Sequence, residues 1–214
     1  MKPVRRISGI AVPLPRNNID TDAIIPQRYL VTIDKEGMAE GFFGGWRRDD
    51  DGKLDADFPL NRPEYAGARI LLAGANYGCG SSREHAVWAH LAWGMQAVIA
   101  PSFGPIFYGN AAKNGLLLIV LEPAILSEVT KLVRAAGGAV EIDLYAQSIS
   151  IADQTFAFSI APQLRLALLK GTDEISETLT RVQAIAEFQA RDRLLRPWIW
   201  ESFSETHDGE SASD

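Results

Sequence analysis

The hydrophobic positions of this chain fall into runs of three kinds. Continuous apolar stretches at Ile70-Leu71-Leu72-Ala73, Ala97-Val98-Ile99-Ala100 and Leu116 to Leu121 have the length and make-up of buried strands. Between the first two, Ala86 to Trp93 reads as a helix ending at Gly94. Between the second two, Pro101 to Asn114 reads as a loop and helix stopped by Gly115. Strand–helix–strand–helix–strand over residues 70–121 predicts a parallel α/β layer with right-handed crossovers. From Val140 to Phe158 the pattern changes to three short alternating segments separated by polar turns, a β-meander. Helical spacing governs Ala124 to Ala136, which ends at Gly137-Gly138, and Ala161 to Lys170, which ends at Gly171. A further helix is expected over 172–195, where Ile175, Leu179, Val182, Ile185 and Phe188 form a stripe suited to a core or a partner. Upstream, Ile7 to Leu14 reads as a strand stopped by Pro13 and Pro15. The expected organisation is one domain over residues 1–200, of class α/β, followed by an acidic, small-residue tail (201–214) expected to be disordered.

Two stretches do not fit this periodicity. Residues 31–66 read as a long loop, rich between 35 and 65 in Gly, Asp, Arg and Pro, with Phe42, Phe43 and Trp46 among them. A connector of that length points to a functional or partner-binding loop. Within it, Asp49-Asp50-Asp51-Gly52 is read as a solvated turn, since a calcium loop needs many more spaced ligands.

The second stretch carries the candidate chemistry: Gly74-Ala75-Asn76-Tyr77-Gly78-Cys79-Gly80-Ser81-Ser82-Arg83-Glu84-His85-Ala86. It joins an apolar strand to a helix. Gly78 and Gly80 let backbone approach a ligand closely. The first N–H groups of a helix lack partners and carry partial positive charge, which suits an anion. Arg83 adds a planar fork matching a carboxylate or phosphate. Serines before a helix most often serve only as caps, with Glu84 aiding the dipole, but this sequence is denser than a cap requires. The reading is an anion pocket that presents a serine. It is not a Walker loop, which needs Gly-Lys-[Ser/Thr], nor a nucleophile elbow, which needs Gly-x-Ser-x-Gly.

A second candidate lies in Asn17 to Leu30. Asp20-Thr21-Asp22 is a turn by composition, yet a turn accounts for only one of its two acids. Asp22, followed by Ile24-Ile25 and by Arg28, suggests acid and base fixed on a rigid loop. Ser102 and Asn110 fit either the same rim or a cap.

Composition narrows the partners. With 47% hydrophobic and 22% charged residues the chain has ordinary globular make-up, and its net charge of −6 argues against a nucleic-acid or polybasic membrane module. No run approaches the length of a membrane span, and Met1 to Arg6 lacks a signal-peptide core. The expected location is cytoplasmic. Cys79, the one cysteine, permits no internal disulfide framework, and the chain by itself cannot ligate an iron–sulfur cluster or a multi-cysteine zinc site.

Three motifs together resemble the small subunits of 3-isopropylmalate dehydratase, the swivelling-domain half of the aconitase superfamily. They are Asn18 to Pro26, Asn76 to Ala86, and Ile99 to Phe103 with Phe107-Tyr108-Gly109-Asn110. The resemblance runs in order from about Gly9 to Trp200. It implies a β/β/α swivelling domain of the aconitase type, with a parallel sheet core, flanking helices and a β-meander. It also implies a large subunit carrying a four-iron, four-sulfur cluster, no cofactor or metal on this chain, and isomerisation of 2-isopropylmalate to 3-isopropylmalate through isopropylmaleate in leucine biosynthesis. Carried over by position, Ser81 matches the catalytic base that removes the carbon-bound proton. Ser82 and Arg83 match the pair holding substrate carboxylate, and Asp22 an active-site acid, with Gly78, Gly80 and His85 as supporting residues. Arg28 falls near a substrate-binding arginine, although the loop spacing differs. Cys79 stands where aconitases often have glutamate, which favours the isopropylmalate branch.

Ionising an aliphatic hydroxyl at neutral pH costs about 12 kcal/mol if it is as weak an acid as water. A helix terminus supplies at most about 2 kcal/mol. The expectation is therefore half an active site, inactive without its partner. Alternatives are small subunits of citraconate, methylmalate, dimethylmalate or homoaconitate hydro-lyases, or a non-catalytic anion-binding module.

Overall fold

Strand β1, Arg6–Leu14, lies at the centre of the sheet and serves two neighbours in turn. The structure, a computed structural model, describes residues 3–30, 35–49, 51–81, 83–172 and 182–200. In it, the first half of β1 runs antiparallel to β5 (Ala139–Asp143), with Arg6 opposite Asp143 and Ile10 opposite Ala139. Its second half runs parallel to β2 (Ile70–Ala73), with Ala11 opposite Ile70 and Leu14 opposite Ala73. Pro13 therefore does not stop the strand. Ala11 N donates to Gly138 O just before β5 begins, and Pro13, two residues on, has its missing N–H on that same side, beyond the reach of β5.

From β1 the sheet continues through β2 to β3 (Ala97–Ala100) and β4 (Leu117–Val120), all parallel. On the other side β5 leads to β6 (Ser148–Ile151) and β7 (Gln154–Ala157), all antiparallel, giving the order β4-β3-β2-β1-β5-β6-β7. The expected parallel layer and meander are thus one mixed sheet.

Alternation along the strands divides the core between the two faces. Val12, Leu14, Leu71, Ala73, Val98 and Ala100 face one cluster, shared with Val87, Phe107, Phe42 and Phe43. Ile7, Ile70, Leu72, Ile99 and Ile119 face the other, shared with Leu126, Val129 and Val133. Helices α1 (Thr21–Ile24), α3 (Gly44–Arg47), α4 (Glu84–Trp93) and α5 (Pro105–Asn114) supply residues to the first cluster, as does the Phe42-Phe43 pair that follows α2 (Lys35–Gly41). Helices α6 (Pro123–Ala135) and α7 (Pro162–Lys170) supply the second.

The segment expected as a long loop, 31–66, carries regular structure and sends a few aromatic residues into the core. It contains α2, α3 and two short 3-10 turns, and Phe42 and Phe43 are fully buried. Gly41 and Gly44 explain how so irregular a sequence packs: a Cβ on Gly41 would stand 2.8 Å from Tyr29 Cβ, and one on Gly44 would stand 3.0 Å from the Tyr29 hydroxyl. Arg47, 6% exposed, holds the segment together. Its Nε donates to Asn61 Oδ1 (3.0 Å), its Nη1 donates to Phe42 O (3.3 Å), and its guanidinium lies over Trp93.

Residues 174–214 form a second unit. In it α8 (Val182–Leu195) leads into α9 (Pro197–Trp200), and buried Asp192 accepts from Arg196 Nε and Trp200 Nε1. The expected opening of this helix, at 173–181, and the tail, 201–214, lie outside the described residues.

Candidate active site

Three loops leave the carboxyl ends of β1, β2 and β3 and run side by side. Gly74 N donates to Arg16 O, Asn18 N to Ala75 O, Gly78 N to Ile19 O, and Thr21 N to Cys79 O, at 2.7–3.1 Å. Across the other edge Tyr77 N donates to Ser102 O (3.0 Å) and Gly104 N to Tyr77 O (2.8 Å). The glycine-rich loop is therefore the middle member of a laddered trio at the rim where parallel α/β sheets place ligands. Side chains complete the ladder. Ala75 N donates to Asn17 Oδ1, Asn76 Nδ2 to Asn18 Oδ1, and Asn76 N to Ser102 Oγ, at 2.8–2.9 Å.

Gly78 and Gly80 have φ of +71° and +94°, which side chains rarely adopt. A Cβ on Gly78 would also stand 2.7 Å from Phe107 Cβ. These constraints bring Ser81 out to an exposed bend just before α4. Ser81 does not cap that helix: the N-cap position is Arg83, with no side-chain cap bond. Arg83 Nη1 instead donates to Asp22 Oδ1, and the Arg83 side chain is only 26% exposed. Asp20 and Asp22 have separate duties. Asp20 Oδ1 accepts from Ala23 N (2.7 Å) and caps α1, which leaves Asp22 to face Arg83. Cys79 is half-buried between the two glycines and carries a free thiol.

The other sequence candidates divide. Ser82 lies outside the described residues. His85 packs its ring on Trp88, 4.8 Å between centroids, on a helix edge where Trp88 Nε1 donates to Asn114 Oδ1 and Asn114 Nδ2 to Glu84 Oε1. Arg28 is exposed with its guanidinium over Tyr29, and among the described residues no hydrogen bond or ion pair joins it to Ser81, Arg83 or Asp22. Ser102 sits at the rim as a brace for Asn76, whereas Asn110 offers its carbonyl to Asn114 within α5.

Thr21 emerges from the structure as a site residue. It is 2% exposed, its hydroxyl donates to Ser81 O at 3.2 Å, and its Oγ1 lies 3.4 Å from Ser81 Oγ. Beneath the loop, Tyr77 and His90 are fully buried. His90 Nδ1 faces the Ala86 carbonyl, which can only accept, so Tyr77 Oη donates to His90 Nε2 at 2.6 Å. Burial lowers the imidazole to about 4 and pushes the phenol well above its usual range.

The donor set does not fit a four-iron cluster. The chain has a single cysteine, and among the described residues no group of three or more His, Cys, Asp or Glu could hold a metal ion. No helix among them is long and apolar enough to cross a membrane.

A mixed sheet that presents a serine, an arginine and a carboxylate at the ends of its parallel strands defines a class. The chain belongs to the aconitase C-terminal domain family, whose model matches residues 1–124. It is 46% identical over 196 residues to 3-isopropylmalate dehydratase small subunit 2 of Bordetella parapertussis, covering 91% of this chain and 97% of that one. It is 47% identical over 204 residues to the small subunit of Cupriavidus necator, covering 93% and 98%. The crystal structure of a 3-isopropylmalate dehydratase from Methanocaldococcus jannaschii superposes with a TM-score of 0.63 at 32% identity, covering 85% of this chain and 98% of that one. These relatives place the chain on the 3-isopropylmalate dehydratase small-subunit branch of the family.

Proposed function

We propose that this chain is the small subunit of a cytoplasmic hydro-lyase that isomerises 2-isopropylmalate to 3-isopropylmalate through isopropylmaleate. It contributes the base and part of the carboxylate grip to an active site completed by a large subunit. The observation that carries the reading is the exposed Ser81 beside an Arg83 held by Asp22, on a loop where Gly78 leaves no room for a side chain and Gly80 takes a left-handed dihedral.

Elimination takes the carbon-bound proton to Ser81 Oγ while the C–H electron pair forms the double bond. The hydroxyl leaves the neighbouring carbon with its electron pair, so that proton and hydroxide together make the water lost. Water then adds in the opposite sense to the double bond. Arg83 binds a substrate carboxylate through the edge of its guanidinium that Asp22 does not occupy, and the family motif assigns Ser82 to the same grip. This orients the acidic C–H towards Ser81. Cation and aligned N–H groups cover a minor part of the roughly 12 kcal/mol needed to ionise a hydroxyl. The remainder is assigned to the partner, which in this reading carries the iron–sulfur cluster that the present chain has no ligands to hold.

The test is anaerobic reconstitution with the large subunit, comparing isopropylmalate with citraconate and homoaconitate. The small subunit alone should be inactive. Ser81→Ala should assemble normally and lose about 10²–10⁴-fold in kcat, as expected for a lost proton-transfer group. Turnover by the isolated chain, or an unimpaired Ser81→Ala complex, refutes the proposal.

A further inference from the structure

We infer that Thr21 is a positioning residue for proton abstraction, its hydroxyl donating to Ser81 Oγ when that oxygen is ionised. The inference rests on the reading of Ser81 as the base. One hydroxyl carries one proton and two acceptor lone pairs. Thr21 Oγ1 has two possible acceptors on one residue: the Ser81 carbonyl at 3.2 Å and the Ser81 hydroxyl at 3.4 Å. With the proton on the carbonyl, Oγ1 is free to accept from the Ser81 O–H and orient it. Rotation about a single C–O bond turns the same proton towards Oγ once negative charge develops there. The two oxygens, 3.4 Å apart, then need only draw together by a fraction of an ångström.

The surroundings fix that oxygen. Thr21 is buried, and its backbone N–H is tied to Cys79 O at 2.9 Å. Its branched Cβ restricts the rotamer. The capping of α1 is done by Asp20 and the pairing of Arg83 by Asp22, so neither local duty requires the Thr21 hydroxyl. A donor aimed where charge appears acts mainly on the transition state.

The experiment uses the reconstituted two-subunit enzyme. Thr21→Val keeps the branched shape and removes the hydroxyl. It should lower kcat by about 10²-fold, the effect of one lost oxyanion donor, with KM changed by less than about threefold. The deuterium isotope effect on kcat, with substrate labelled at the abstracted position, should rise because that step becomes limiting. Thr21→Ser should restore kcat to within about fivefold of wild type. If Thr21→Val fails to assemble, Thr21→Ala carries the same expectations. An unchanged kcat in the hydroxyl-free variant, an effect confined to KM, or an unaltered isotope effect would overturn the inference. Failure of the underlying reading looks different: Ser81→Ala would then keep its turnover, and the role of Thr21 would fall with it.

Discussion

Gly104→Ala tests how tightly the active loop is framed. Gly104 has φ −60° and ψ 132°, which alanine adopts freely, so the substitution carries no dihedral penalty. Its effect is steric. A Cβ there would stand 2.9 Å from the Gly78 carbonyl carbon, nearer still to its oxygen, and 3.1 Å from Cys79 Cα. Non-bonded carbons settle at about 3.5–4.0 Å, so the backbone must part by about 1 Å. Residue 104 has little room to retreat, because its N–H donates to Tyr77 O and Pro105 opens α5 directly after it. The loop at 78–79 therefore moves, and with it Ser81. Displacing a reacting group by about 1 Å costs about 10²-fold in rate, or roughly 3 kcal/mol of barrier. Overpacking of this kind costs about 1–3 kcal/mol of stability. The assay is steady-state turnover by the reconstituted complex, with partner binding and thermal melting as controls. A folded, assembled Gly104→Ala enzyme with wild-type kcat would refute the claim that loop position controls the base.

Two further outcomes follow from buried and paired groups. His90 is held near 4 against an ordinary 6.5, so between those values the unfolded chain takes up a proton that the folded chain refuses. Stability should fall by about 3 kcal/mol as pH drops from 6.5 to 4. Urea unfolding across that range measures the loss, and replacing both partners (Tyr77→Phe with His90→Leu) should flatten this component; an equally steep slope in the double variant would assign it elsewhere. Asp22→Asn should loosen Arg83 and raise KM by up to about fivefold, the range of a partly exposed ion pair. A KM that does not move would show that Asp22 does not govern the carboxylate grip proposed for Arg83.

The parts of this fold that were legible in the sequence are those whose burial is continuous. β2 and β3 were readable to the residue because all four positions of each are buried, so no alternation blurs the run. Gly94 and Gly115 marked helix ends for a local reason, since both take left-handed dihedrals at C-caps. Residues 35–65 misled because the apolar face of α2 and α3 is made by tertiary partners: Tyr29 fills the space that Gly41 and Gly44 leave. The duties of Asp20 and Asp22 could be anticipated in part, as one turn needs one acid. Thr21 could not be anticipated, because the hydroxyl it meets belongs to Ser81, in another loop. Nor could the ladder of the three loops, in which each bond joins segments remote in sequence.

The handover along β1 also sets an order of events during synthesis. Residues that frame the serine are complete once β4 has emerged, since β1 to β4 and their loops all precede residue 121. The first half of β1, however, has no mate until Ala139–Asp143 appears. In that interval the nascent chain presents Arg6 to Ile10 as a bare strand edge, open to a neighbouring polypeptide. The late meander acts as a seal for that edge, although it contributes no hydrogen bond to the three-loop ladder at the other end of β1.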